Sequence, residues 1–213
     1  MGKGILYYAG MGAGIFYLLG DLVGGYITPN YNYIKNAVSE LIQSGAENRM
    51  LLSPFMFLHA VMIILFTSGL LSQHPFNLSK LVFIGGILLL VVGISHALSS
   101  SIFPMDPVGS RSTFPGVMHL ALVGVTVVSI FILMPLLGIG LTRHYEWRYF
   151  PVFTIICLVI ILISGISSPI VIGKGIEVMG LTERITGYTF YVWMFFLAFL
   201  LLKEQSGQMA VNF

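Results

Sequence analysis

The chain has 213 residues, of which 57% are hydrophobic and only 8% are charged, and its mean hydropathy is +0.95. A soluble domain carries about 25% charged residues, so this composition predicts an integral membrane protein and leaves no room for a soluble domain. Lysine and arginine (10) exceed aspartate and glutamate (8) by only two, which excludes a basic surface for nucleic acid.

Six apolar segments are long enough to cross a bilayer, which takes about 20 residues of helix. We predict an all-α fold in which residues 1–213 form a single transmembrane domain. Six transmembrane helices form one bundle, with a short interfacial helix after the first helix. The predicted spans are about residues 4–27, 53–71, 79–102, 115–141, 150–172 and 185–202.

The first span has no small-residue cleavage site after it, so we interpret it as helix one and not as a removable signal. Residues 31–45 then predict a short surface helix, in which apolar residues recur at helical spacing from Ile34 onward and Gly45 ends the helix. Two interpretations stay open. The helix is a lid over a pocket, in which Ser39 and Glu40 bind the ligand, or it is an ordinary interfacial helix.

Four helices each place one ionisable residue within about two turns of the same membrane face. At a rise of 1.5 Å per residue, these side chains lie about 6 to 10 Å inside that face. Ionisable residues at such depths usually face the bundle interior or a wet cavity. We therefore predict a polar pocket that opens to the face opposite the termini. The four residues are Asp21, His59, His96 and His119.

The stretch HALSSSIFPMDP, residues 96–107, is predicted to form one wall of this pocket. Ser99 and Ser100 lie on the same helix face as the histidine that begins the stretch. The alternative is structural, because serines in a spanning helix often bond to a backbone carbonyl one turn back. Arg111, in the following loop, is predicted to pair with Asp106 or Asp21.

Two helix starts are predicted from capping patterns. The Ser-Pro pair at residues 53–54 suits the start of helix two. Thr182 is predicted to cap helix six, with Glu183 in its first turn, where a carboxylate suits the helix dipole. Arg184 is then left at the membrane boundary, where it could hold an anionic headgroup or pair with Asp106.

The sequence resembles a family of bacterial and archaeal membrane proteins designated domain of unknown function 998 over nearly its whole length. The resemblance implies a compact six-helix fold and brings no activity with it. The motifs that carry it are Ser39-Glu40-Leu41, Phe103-Pro104-Met105-Asp106, His119 at the start of helix four, and Gly180-Leu181-Thr182-Glu183-Arg184-Ile185.

The family resemblance favours a prokaryotic plasma membrane. Lysine and arginine divide five against five between the two sides, so the positive-inside rule gives no answer by itself. The acidic residues gather on the side away from the termini. We therefore predict that the termini lie in the cytoplasm.

The first functional hypothesis is a metal-dependent hydrolase that acts on a lipid-like substrate. Three histidines can bind zinc and leave an open position for an activated water. In this hypothesis His59, His96 and His119 bind the metal or transfer protons. Asp21 or Asp106 orients the histidines, and Arg111 and Arg184 hold the substrate.

The second hypothesis is a non-catalytic protein that binds or transports a lipid, with a proton-linked cavity. The third is an accessory subunit of a larger membrane complex, with another membrane protein or a second copy as partner. Haem held by two histidines is a lesser possibility. All these hypotheses have membrane lipids as neighbours, and none involves nucleic acid.

Overall fold

The computed structural model describes residues 4–72, 79–142, 147–173 and 177–211, with side chains described in these ranges except at 166–173 and 207–211. All regular elements in these ranges are helices. They are α1 (Gly4–Ile27), a 3₁₀ helix (Val38–Ile42), α2 (Arg49–Leu71), α3 (Lys80–Ser101), α4 (Phe114–Thr142), α5 (Phe150–Gly173) and α6 (Met179–Val211).

Five of these helices are long and apolar enough to cross a membrane: α1, α2, α3, α4 and the Met179–Ser206 part of α6. The part of α5 with described side chains, Phe150–Gly165, is apolar but shorter. At most 39% of the residues in each spanning window are buried inside the protein, so apolar side chains cover most of the outer surface. Only a surrounding lipid phase suits such a surface, and the chain is a membrane protein.

The six long helices pack in chain order, each against the next, and α6 returns to α1. The result is a closed ring. Within the described part of the chain, the pair α4 and α5 makes the fewest contacts of these neighbours. In the described part of the chain, α4 and α5 therefore pack against each other less extensively than the other neighbouring helices do.

Close packing of α1 depends on small residues. Gly10 faces Phe66 of α2 and Ala198 of α6, and a Cβ atom at this position would lie 2.7 Å from the Phe66 ring. Because lipid offers no hydrophobic driving force between helices, such close backbone approach supplies much of the packing energy. The core that results includes Tyr7, Phe66 and Trp193, all buried.

Hydropathy placed four helices within one residue of their observed bounds, missed the start of α2, and missed both ends of α6. Helix α2 begins at Arg49, so Ser53 is not its cap, and Pro54 lies inside the helix. Helix α6 begins at Met179, so Thr182 lies in its first turn and its hydroxyl donates to carbonyls one turn back. Both capping predictions were wrong, because polar residues continue these helices beyond the apolar window.

The predicted helix over residues 31–45 is much shorter than expected, since only the 3₁₀ helix Val38–Ile42 forms. Ile34, predicted to lie on its apolar face, is 52% exposed. The Asn32 side chain accepts hydrogen bonds from the backbone at Ile34 and Lys35 and so favours a turn over a helix. The 3₁₀ helix ends at Ile42, so Gly45, which has a positive φ of 79°, lies three residues beyond the helix that it was predicted to end.

A Gly10→Val substitution tests the packing of α1. We expect it to lower the free energy of unfolding by about 1–3 kcal/mol, because the larger side chain overpacks the contact with Phe66. Gly124→Val is the matched control, since nothing lies within 4 Å of a Cβ atom there. Denaturation in detergent, followed by circular dichroism, measures both. Equal loss in the two variants would contradict the packing argument.

Candidate functional site

A cavity of about 370 Å³ lies inside the helix ring. Small-molecule sites have volumes of about 300–1,000 Å³, so this cavity is large enough for a ligand. All six long helices and the 3₁₀ helix contribute to its wall, which is mainly apolar. The polar side chains on the wall include Tyr17, Ser39, His59, His96, Ser99, Ser100, His119, Thr126, Glu183 and Tyr191.

The three predicted histidines gather at this cavity. Nε2 of His59 lies 3.1 Å from Nδ1 of His96 and 3.0 Å from the hydroxyl of Tyr191. His119 lines the same cavity. The depth predicted for these residues in the membrane stays a prediction.

Backbone carbonyls orient two of the rings. Nδ1 of His59 lies 2.9 Å from the carbonyl oxygen of Ala13, and Nδ1 of His119 lies 3.0 Å from that of Phe103. The sequence analysis assigned this orienting role to Asp21 or Asp106. That assignment needs correction, because both carboxylates have other partners.

The metal predictions fit this geometry poorly. Among the described side chains, no group of three or more His, Cys, Asp or Glu residues is placed to hold a metal ion. His59 and His96 contact each other directly, so no haem fits between them. Zinc bound by His59, His96 and His119 stays a prediction that the arrangement of these rings does not favour.

Asp21 pairs with Arg184 inside the protein. Asp21 on α1 has no exposed surface, and Arg184 on α6 is also buried. Two parallel hydrogen bonds of 2.9 and 2.7 Å join Nε and Nη2 of the guanidinium to the carboxylate, and Tyr188 donates to the same carboxylate. Bidentate geometry of this kind is the strongest form of the Arg–carboxylate contact.

The remaining donors of Arg184 bind residues 31–36. Its Nη1 donates to the carbonyls of Tyr33 (2.6 Å) and Asn36 (2.9 Å), and its Nη2 donates to the hydroxyl of Tyr31 (2.6 Å). A guanidinium has five N–H donors, and all five are used. The predictions that Arg184 holds an anionic headgroup or pairs with Asp106 are therefore corrected.

We call residues 31–45 the covering segment, because Val38, Ser39 and Ile42 form part of the cavity wall. The start of α6 binds it along its length. Gly180 and Leu181 donate backbone hydrogen bonds to residues 35 and 34 of the segment, and Glu183 accepts one from the backbone of Val38 at 2.8 Å.

Tyr31 completes this attachment, because its hydroxyl accepts from Arg184 and donates to the carbonyl of Ala37 at 2.8 Å. Burial raises the pKa of Tyr31, and the neighbouring guanidinium offsets only part of that rise. The hydroxyl therefore keeps its proton and both hydrogen bonds at physiological pH. Glu40, predicted to bind ligand, instead accepts hydrogen bonds from Asn36 and Ala37 and does not line the cavity.

Asp106 stabilises the start of α4. It accepts hydrogen bonds from the backbone and hydroxyl of Thr113, at 2.8 and 2.7 Å, and these bonds lower its pKa. Thr113 in turn accepts from the backbone of Gly116, as an N-cap residue does. Arg111 is exposed and makes neither predicted pair, with Asp106 or with Asp21, because both carboxylates are occupied.

The predicted serines line the cavity, but their hydroxyls have other partners. Ser99 donates to the carbonyl of His96 and Ser100 to that of Ala97, as the structural alternative expected. Ser39 lies within 3.4 Å of the sulfur of Met105. None of the three is left as a free nucleophile.

The sequence analysis missed the tyrosines of the site. A signal existed, since positions 184, 188 and 191 lie on one face of α6, and Tyr17 precedes Asp21 by one turn of α1. Tyr17 and Tyr191 pack against His59 with ring centroids 5.3 and 4.8 Å away.

The Asp21–Arg184 pair is testable by substitution. An Arg184→Gln variant leaves a buried carboxylate without a cation, and we expect the free energy of unfolding to fall by about 3–5 kcal/mol. The double variant Asp21→Asn/Arg184→Gln removes both charges, and we expect it to be more stable than the single variant. Denaturation in detergent measures both.

The exposed pair of Lys35 and Glu177 is the control, since both side chains are more than half exposed. Lys35→Ala is expected to change stability little, because exposed ion pairs contribute little. If Arg184→Gln were as stable as Lys35→Ala, the buried pair would have no stabilising role.

Comparison with known proteins gives one match. The family model described as "Protein of unknown function (DUF998)" matches residues 11–200. No curated protein and no solved structure matches the chain. Because the family model covers most of the sequence, the chain belongs to the DUF998 family of proteins of unknown function.

Proposed function

We propose that the protein binds a lipid-like molecule in the cavity inside its helix ring. The apolar chain of the ligand lies against the apolar part of the wall, and its polar end lies at the histidine cluster. The observation that carries this proposal is a largely apolar cavity of about 370 Å³ with three histidines on its wall, inside a membrane protein.

The route into the cavity supports a lipid. Leu120, Val123 and Val127 of α4 line the cavity and are 65%, 45% and 40% exposed, so the cavity is not closed along this side of α4. A lipid-like molecule in the bilayer would then enter past these side chains, without crossing the covering segment.

Catalysis on such a ligand is the second candidate function. The contact between His59 and His96 favours it, because a histidine oriented by another group can act as a general base. The hydrolase hypothesis does not then require zinc. Three further hypotheses remain: transport, a role as an accessory subunit, and assembly into a homo-oligomer. None of them assigns a different function to the three histidines.

We also propose how the helices are arranged in the membrane. All six helices span the membrane, the covering segment lies at the surface, and the termini face the cytoplasm of a prokaryotic cell. The end of the ring that holds the histidines then faces outward. The apolar character of the described part of α5 supports a sixth span.

Blocking the route past α4 tests ligand binding. Val123 and Val125 are equally exposed on α4, at 45% and 44%, but only Val123 lines the cavity. We expect Val123→Trp to weaken binding of dodecanol at least about tenfold, whereas Val125→Trp leaves it unchanged. Native mass spectrometry of the protein released from lipid nanodiscs measures the bound fraction. Equal binding by the two variants would place the ligand elsewhere.

Cysteine labelling tests the topology. Cys157 is the single cysteine and is buried, so a Cys157→Ser background carries no competing thiol. Arg111→Cys and Lys203→Cys each place an exposed thiol, at opposite ends of the ring. In intact cells, we expect a membrane-impermeant maleimide to label position 111 and not position 203. The reverse pattern would invert the proposed orientation.

A further inference from the structure

We infer that the polar end of the ligand is an uncharged hydroxyl group, whose one hydrogen is donated to the free ring nitrogen of His96 or of His119. The inference rests on the proposed function, because it names the ligand chemistry of the same cavity. It is carried by the hydrogen bonds that fix which nitrogen of each ring bears the proton.

The hydrogen bonds of His59 determine which of its ring nitrogens bears a proton. A carbonyl oxygen only accepts hydrogen bonds, so Nδ1 of His59, 2.9 Å from the oxygen of Ala13, bears a proton. The ring is 2% exposed, and no acidic side chain in the described part of the chain contacts it. A doubly protonated ring would be a buried charge without a counterion, which is costly. Nε2 of His59 is therefore an acceptor.

The contact with His59 also determines which ring nitrogen of His96 bears a proton. Its Nδ1 lies 3.1 Å from Nε2 of His59, and two lone pairs facing each other at this distance would repel. Nδ1 of His96 therefore bears a proton and donates to His59. The hydroxyl of Tyr191 also lies 3.0 Å from Nε2 of His59, whose one lone pair already accepts from His96. A neutral His96 then has its lone pair on Nε2.

His119 follows the same rule. Its Nδ1 donates to the carbonyl of Phe103, so a neutral ring has its lone pair on Nε2. No described residue bonds to Nε2 of His96 or His119, and neither atom is sealed off from open space. Because both rings line the cavity, they present two acceptors to whatever fills it.

The charged residues of the cavity wall disfavour an anionic ligand. The described wall contains no lysine or arginine, and its acidic side chain is Glu183. Arg184 lies close by but has no donor to spare. An anionic headgroup would enter this cavity without a cation to pair with, beside an acidic group, and would lose its hydration.

A hydroxyl group suits acceptors of this kind because it is an uncharged donor, and its one hydrogen pairs with one ring nitrogen at a time. Thr126 lines the cavity, but its Oγ1 atom is buried and has no hydrogen-bond partner among the described residues, so it is not assigned to the ligand.

Three probes with the same alkyl chain separate the possibilities: dodecanol, its methyl ether and dodecyl phosphate. The ether keeps the chain and the oxygen but has no donor, and the phosphate adds negative charge. We expect the wild-type protein in lipid nanodiscs to bind dodecanol about tenfold more tightly than the ether, and the phosphate more weakly still. This comparison needs no variant, so it does not depend on the folding of a mutant.

Substitutions then assign the preference to the histidines. His96→Phe and His119→Phe keep the apolar volume, and each is expected to reduce the preference for dodecanol over the ether. Ser99→Ala is the control on the same wall, because the hydroxyl of Ser99 already donates to the His96 carbonyl.

The outcomes distinguish the two proposals. Equal affinity for alcohol and ether, or preference for the phosphate, with binding still blocked by Val123→Trp, overturns the hydroxyl inference and leaves the lipid-binding function standing. Binding of none of the three probes overturns the proposed function itself, and the inference with it.

Discussion

The buried contact between Asp21 and Arg184 joins the first helix to the last. Tyr188 of α6 also donates to the Asp21 carboxylate, and each charge of the ion pair alone would be costly inside the protein. The same guanidinium holds the covering segment through two backbone carbonyls and Tyr31. One arginine therefore closes the ring and positions the segment that covers the cavity, which is why it cannot also serve a ligand.

Most of the polar groups named on the cavity wall have hydrogen-bond partners within the protein. Ala13 and Phe103 supply carbonyls to two histidines, and the serines of α3 bond to their own helix. What is left over is small and specific: two ring nitrogens and the hydroxyl of Thr126. A site with few unsatisfied polar atoms in a mainly apolar wall selects its ligand by hydrogen-bond pattern more than by charge.

Membrane immersion explains the asymmetry of the ring. Tight seams use small residues such as Gly10, which let neighbouring backbones approach each other closely. Helices α4 and α5 pack against each other less extensively in the described part of the chain. Exposed side chains of α4 also line the cavity, and in a bilayer such side chains face acyl chains and not water.

The sequence by itself determined the helical membrane fold and four helix extents to within one residue, because hydropathy acts along the chain. It failed where partners come from distant parts of the chain. Only the tertiary structure decided that Asp21 pairs with Arg184, that Asp106 binds Thr113, and that carbonyls orient the histidines. Helix rotation fixes these contacts, and a one-dimensional pattern of apolar residues specifies depth far better than rotation.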